Sequence, residues 1–163
     1  MSGATNLIIR IGDFADANVK ALLEYHLRGM HAASPPGHVF ALDLSGLQKP
    51  EISFYTGWHG ETLVVMGALK DLGGGVAEIK SMRVAENQSG RGYGEAMLLH
   101  IIAEAVRRGF ALLSLETGSG PPFEAALALY RKHGFIEGDK FADYEKSAFS
   151  RFFHLDLSTL PRQ

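Results

Sequence analysis

A chain of 163 residues, 46% hydrophobic and 21% charged, can bury one sizeable core without staples, and having no cysteine it has no disulfide, thiolate metal site or thiol nucleophile. Its formal charge of -2, with Lys and Arg scattered along the chain, leaves no electrostatic footprint for nucleic acid or anionic lipid, so small or neutral partners are expected. The opening "MSGATNLIIRIGDF" lacks a basic start followed by a long apolar core, and no apolar run nears the ~20 residues of a membrane span, so a cytoplasmic protein without membrane contact is expected.

"NLIIRIGDF" (6–14) reads as a short strand, after which Asp16 caps an amphipathic helix with apolar residues at Val19, Leu22, Leu23, Leu27 and Met30. "SPPG" (34–37) stops that helix, and "HVFALDLSGLQKPE" reads as a loop with a short helical turn. "ISFYTGW" and "TLVVMGALK", separated by "HGE", form a hairpin, and "DLGGG" turns the chain into a third strand, "VAEIKSMRV" (76–84). The helix "AMLLHIIAEAVRRG" comes next, apolar on most of its circumference and closed by Gly109. "FALLSLETG" is a buried strand that completes a right-handed βαβ unit, "PPFEAALALYRKHG" is a helix ending at Gly134, and "FIEG" and "SRFFHLDL" are strands around the polar loop "DKFADYEKSA". One α+β domain over 1–163 accounts for the whole pattern.

Between third strand and helix stands "SGRGYGE" (89–95), with three glycines. A Walker-type loop is excluded, because no Lys-Ser or Lys-Thr pair follows. A dinucleotide fingerprint matches at Gly90 and Gly92 but meets Glu95 at its third glycine position; Glu116 stands ready as its ribose ligand, and an NAD-type oxidoreductase stays open. A plain strand-to-helix turn is also open. In the remaining reading, backbone N–H groups and the positive helix end cradle a pyrophosphate, with Arg91 adding charge.

"EIKSMRVAENQSGRGYGEAMLLHIIAEAVRRGF", "LSLETG" and "ALALYRKHGF" resemble the GNAT family of acetyl-CoA-dependent N-acetyltransferases, over about residues 6–157. "HAASPPGHVFALDLSGL", "GALK", "EIKSMR", "LETGS" and "FADY" resemble, more narrowly, its bacterial YsnE-like branch. The resemblance implies a mixed, mostly antiparallel sheet flanked by helices, with a β-α-β acetyl-CoA-binding core, and a sheet that splays near the glycine loop. It implies that Ser89, Gly90, Arg91, Gly92, Tyr93 and Gly94 hold the coenzyme pyrophosphate, Ser89 standing where the family motif carries Arg or Gln. Main-chain atoms of Met82, Arg83 and Val84, with a bulge among them, take the pantetheine and thioester, and Thr117, Phe123 and Ala126 complete the coenzyme wall. Phe123 replaces an asparagine common in the family.

The chemistry so implied is direct transfer to an amine in one ternary complex, which needs no enzyme nucleophile. Glu78 is the candidate base, although an unperturbed Glu titrates near ~4.3 and Lys80 on the same strand face stabilises its carboxylate. A half-exposed Glu78–Lys80 strand pair without chemistry is the alternative. Tyr130, a phenol that stays protonated at neutral pH, is the candidate acid toward the leaving thiolate, against a structural tyrosine. His31 and Ser34, over the acceptor site, and Phe141 and Tyr144 on the opposite wall, are substrate candidates, the last two also readable as hairpin packing. No His pair has metal-ligand spacing, so no metal is expected. The acceptor expected is the amine of a small molecule, amino acid or peptide; an acyl-CoA-binding module without catalysis and a homodimer stay open.

Overall fold

The computed structural model describes residues 6–160. Four strands, β1 (Leu7–Ile11), β2 (Ile52–His59), β3 (Thr62–Gly73) and β4 (Val76–Val84), pair antiparallel in chain order. β4 pairs in parallel with β5 (Leu112–Thr117), and the sheet continues antiparallel through β7 (Arg151–Asp156) to β6 (Ile136–Glu137), giving the order β1-β2-β3-β4-β5-β7-β6. The sheet is mixed and mostly antiparallel, as expected. "DLGGG" is less of a turn than its glycines suggest: β3 runs on to Gly73, where Asp71 still faces Ala77, and Gly74 and Gly75 alone make the bend.

Helix α1 (Ala17–Ala33) is capped by Asp16, whose Oδ1 accepts from the N–H groups of Asn18 and Val19 at 2.7 and 3.2 Å. It ends before Pro35, because the residue preceding a proline is pushed out of the helical region and Ser34 is extended. A single turn, α2 (Leu44–Leu47), comes next. Helix α3 (Tyr93–Arg107) starts three residues earlier than its apolar run, directly on Gly92, and α4 (Glu124–Lys132) succeeds a 3-10 turn at Pro121–Phe123.

Helices cover both faces of the sheet. On one, Val19, Leu22 and Leu23 of α1 and Leu47 of α2 pack on Phe54, Trp58, Met66 and Ala68. On the other, Met97, Leu98 and Ile101 of α3 and Leu127 and Tyr130 of α4 pack on Val65, Leu69, Ile79, Leu113, Leu115 and Phe153. Met97, Leu98 and Ile101 are fully buried, each side chain contributing about 1.5–3 kcal/mol on transfer from water. This packing explains Gly67: a Cβ there would lie 2.7 Å from Met82 Sδ and 2.9 Å from Ile101 Cδ1.

Two irregularities in β4 open the sheet and bend its edge. The pairing of β4 with β5 covers only Val76–Glu78 against Leu112–Ser114, after which the strands run on without pairing to each other. Farther along, Lys80 faces Ala68 while Arg83 faces Met66, so Ser81 and Met82 together oppose the single Gly67. That is a bulge, with Ser81 at φ +58°, and it bends the strand and increases its twist. No helix among the described residues is long and apolar enough to cross a membrane.

Candidate functional site

The opening between β4 and β5 holds a cavity of about 260 Å³. β4 lines it with Glu78 to Arg83 and β5 with Leu115 to Thr117. α1 contributes His26, Gly29, Met30 and Ala33, the loop after it Phe40 and Ala41, the α4 region Pro122, Phe123, Ala126 and Tyr130, and the loop before β7 Tyr144. A cavity through a split sheet reaches residues of both layers, here α1 on one side and α4 on the other.

Glu78 is 2% exposed, so the half-exposed strand pair is corrected: the carboxylate sits in the cavity wall. The Tyr144 hydroxyl donates to Glu78 Oε2 at 2.5 Å, and Lys80 Nζ lies 3.3 Å from the same oxygen and 2.7 Å from the Tyr144 hydroxyl oxygen. Burial, then the Glu78 charge, pushes the Tyr144 phenol far above its ordinary value, so it remains a donor. Glu116 also lines the cavity, and burial raises its carboxyl above the usual range. Tyr130 is packed among core residues with its ring 5.7 Å from Phe135, and burial pushes its phenol up to about 12. It is protonated at any physiological pH.

The bulge brings Ser81, Met82 and Arg83 to the cavity. Ser81 Oγ is buried with no hydrogen-bond partner, an unmet polar group facing this space. Nothing in the sequence singles it out, because β4 also carries Glu78, Lys80 and Arg83. Arg83 Nε donates to His26 Nδ1 at 2.9 Å. Burial, then the Arg83 charge, lowers His26 to about 4, so its ring is neutral and accepts.

The glycine loop lies beside the cavity rather than in its wall. Gly90 and Gly92 have φ of +79° and +83°, and Gly92 is the N-cap of α3 with no side-chain cap, leaving first-turn N–H groups of α3 without a capping side chain. Ser89 and Arg91 are exposed, while Tyr93 turns its side chain into the core, so only its main chain is available to a ligand. A Cβ on Gly94 would stand 3.3 Å from Val84 Cγ2, so this glycine lets α3 approach the end of β4.

Thr117, Phe123 and Ala126 stand in the cavity wall, Phe123 with its ring edge-on to Phe149. The cavity stripe of α1 is His26, Gly29, Met30 and Ala33, spaced i, i+3, i+4, i+7; the substrate candidate His31 falls off that stripe, and Ser34 follows the last helical residue outside the cavity lining. His31 is exposed, and Ser34 is the C-cap, with its Oγ buried and unpartnered. Phe141 packs its ring on Tyr144, Phe152 and His154, the hairpin packing that is its other reading, and it buttresses Tyr144, which lines the cavity.

His26 predicts an acid weakness. The folded state binds fewer protons than the unfolded one, so the contribution of neutral His26 is complete above pH 6.5 and is lost as pH falls toward 4. Urea unfolding at about pH 7 and about pH 4.5 should show wild type losing roughly 2–3 kcal/mol more than His26→Gln, which keeps an acceptor for Arg83. Equal losses would remove His26 from the acid response.

The model of the acetyltransferase (GNAT) family matches residues 19–135. The uncharacterized N-acetyltransferase YedL of Escherichia coli is 43% identical over 149 residues, covering 91% of this chain and 94% of that protein. The uncharacterized N-acetyltransferase YsnE of Bacillus subtilis is 43% identical over 144 residues, covering 88% and 95%. The ribosomal-protein-S18-alanine N-acetyltransferase of Escherichia coli shares the fold with a TM-score of 0.69 at 21% identity, covering 95% of this chain and 96% of that one.

Proposed function

This chain belongs to the acetyltransferase (GNAT) family, and we propose that it moves an acetyl group from acetyl-CoA to the amine of a small molecule, amino acid or peptide by direct transfer in a ternary complex. The observation that carries this reading is the gap between β4 and β5, where buried Glu78 and buried Tyr130 line one cavity. A dinucleotide site is disfavoured by the sheet, whose one parallel pair offers no repeated βαβ units.

The residues present fit acetyl-CoA. Unpartnered Ser81 Oγ at the bulge leaves a polar group for the pantetheine end, and the open space around Gly90 admits an anion at the start of α3. Main-chain atoms of Met82, Arg83 and Val84 and of Ser89 to Gly94, with Thr117, Phe123 and Ala126, would hold the coenzyme, which supplies the acetyl thioester. Glu78 takes the proton of the acceptor ammonium, directly or through a water. The freed amine then forms the N–C bond as the C–S bond breaks, Tyr130 gives its proton to the sulfur, and the second proton the nitrogen sheds on becoming an amide restores the Tyr130 phenol, while the proton on Glu78 leaves to solvent. Tyr144 and Lys80 hold the Glu78 carboxylate in place.

The test is coenzyme A release measured with a thiol reagent across amino acids, polyamines, aminoglycosides and short peptides. Release that depends on an amine is expected, and Tyr130→Phe should lower kcat about 100-fold at unchanged acetyl-CoA affinity. Acetyl-CoA binding with no amine-dependent release from any class would replace the transferase reading with that of a binding module.

A further inference from the structure

Arg83 carries a charge that its surroundings do not neutralise. The bulge decides where it points: Lys80 and Arg83 face Ala68 and Met66, so both lie on the α1 face with Glu78, whereas regular alternation would have turned residue 83 toward α3. The guanidinium is built into place there. Nε is committed to His26 Nδ1, the group lies 5.7 Å from the centre of the Tyr25 ring, and Gly29 leaves it room, since a Cβ at that position would be 3.1 Å from Nη2. Its Nη1 and Nη2 N–H groups remain for a ligand, because a guanidinium carries five donors and Nε uses one.

Among the described residues, no ion pair includes Arg83, while its neighbour Lys80 is paired with Glu78. Neutral His26 accepts a hydrogen bond but brings no negative charge. A part-buried, anchored guanidinium that lines a ligand cavity without a counter-ion is matched to a planar anion arriving with the ligand. The carboxylates of Glu78 and Glu116 line the same cavity and suit a cationic amine. The cavity therefore carries both signs of charge needed for a molecule that is ammonium at one point and carboxylate at another.

Building on the transferase reading, we infer that Arg83 binds a carboxylate of the acceptor, so that the acceptors are amines bearing a carboxylate, amino acids rather than polyamines or amidated peptides. The same guanidinium chemistry would serve a coenzyme phosphate, and the experiment separates the two.

Each L-amino acid of a panel is assayed beside its carboxamide and its decarboxylated amine, with wild type, Arg83→Gln and Arg83→Lys. Gln keeps a donor for His26, and circular dichroism confirms folding. Wild type should prefer the carboxylate-bearing member of the productive set, and Arg83→Gln should lower kcat/KM for that member on the order of 100-fold, mostly through KM; the loss for the amide and the amine should be at least about tenfold smaller, and the KM for acetyl-CoA should shift at most a few-fold, because the coenzyme is held through the main chain of residue 83. Arg83→Lys should restore part of the loss, since it keeps the charge without the fork. Equal loss across all three members, or a KM for acetyl-CoA raised more than a few-fold, overturns the inference. Calorimetry of the amino acids in the presence of coenzyme A keeps the two readings apart. Binding that is lost in Arg83→Gln supports the subsite even without turnover, which would sink the transferase reading alone. Binding unchanged in Arg83→Gln, or neither binding nor turnover of any carboxylate member, overturns the subsite.

Discussion

Glu78→Gln should lower kcat about 10²- to 10⁴-fold while acetyl-CoA affinity stays within a few-fold of wild type. Gln matches Glu in size, and its amide oxygen can still accept from the Tyr144 hydroxyl, so the cavity wall keeps its shape. What it lacks is the ability to take a proton from the acceptor ammonium. The exchange also removes the countercharge of Lys80, which lies 3.3 Å from Glu78 Oε2, so some loss of stability is expected beside the kinetic one. A thermal melt separates the two effects, because a folded variant with normal coenzyme affinity and collapsed turnover has lost chemistry alone. Turnover within twofold of wild type would remove Glu78 from the reaction and leave it as the anchor of Tyr144 and Lys80.

Gly92→Val acts on the other half of the reaction and should weaken acetyl-CoA binding more than about 100-fold in calorimetry, equivalent to roughly 2.7 kcal/mol. Two physical reasons combine. Gly92 has φ +83°, a left-handed conformation that costs a β-branched residue about 1–3 kcal/mol, so the start of α3 must shift. A side chain at the N-cap would also stand where an anion approaches the first N–H groups of the helix. A folded variant that binds acetyl-CoA with wild-type affinity would leave the loop as a turn and place the pyrophosphate elsewhere.

Local signals make much of this fold legible in the chain itself. Asp16 ahead of an amphipathic run, the strand-rich stretch from Ile52, and glycines between β4 and α3 are patterns within a dozen residues, where capping, alternation and positive φ are decided by near neighbours. The misses share a different cause. The apolar stripe of Val19, Leu22 and Leu23 sets which side of α1 meets the sheet, and His26 and Met30 follow in its phase; what that stripe does not show is that the sheet opens beneath the last turns, so that His26, Gly29 and Ala33 line a cavity while His31 is exposed. Phe141 and Tyr144 look alike as wall residues, although only Tyr144 reaches Glu78, since a polar loop with no regular period gives no phase to read. Ser81 carries no sequence signal of its own, because its interest lies in a missing partner.

The sequence alone determined most of the elements, their order and the place of the glycine loop, and its resemblance to the acetyltransferase (GNAT) family singled out Glu78 and Tyr130 as the groups to watch. Each depends on propensity, periodicity or a short motif, which act along the chain. Only the tertiary structure decided that β4 leaves β5 after Glu78, that the bulge opposite Gly67 puts Arg83 on the same face as Glu78 and Lys80, and that Tyr144 closes on Glu78 from 66 residues away. Those outcomes depend on pairing and packing between distant segments, where a one-residue change of register reverses which face a side chain takes.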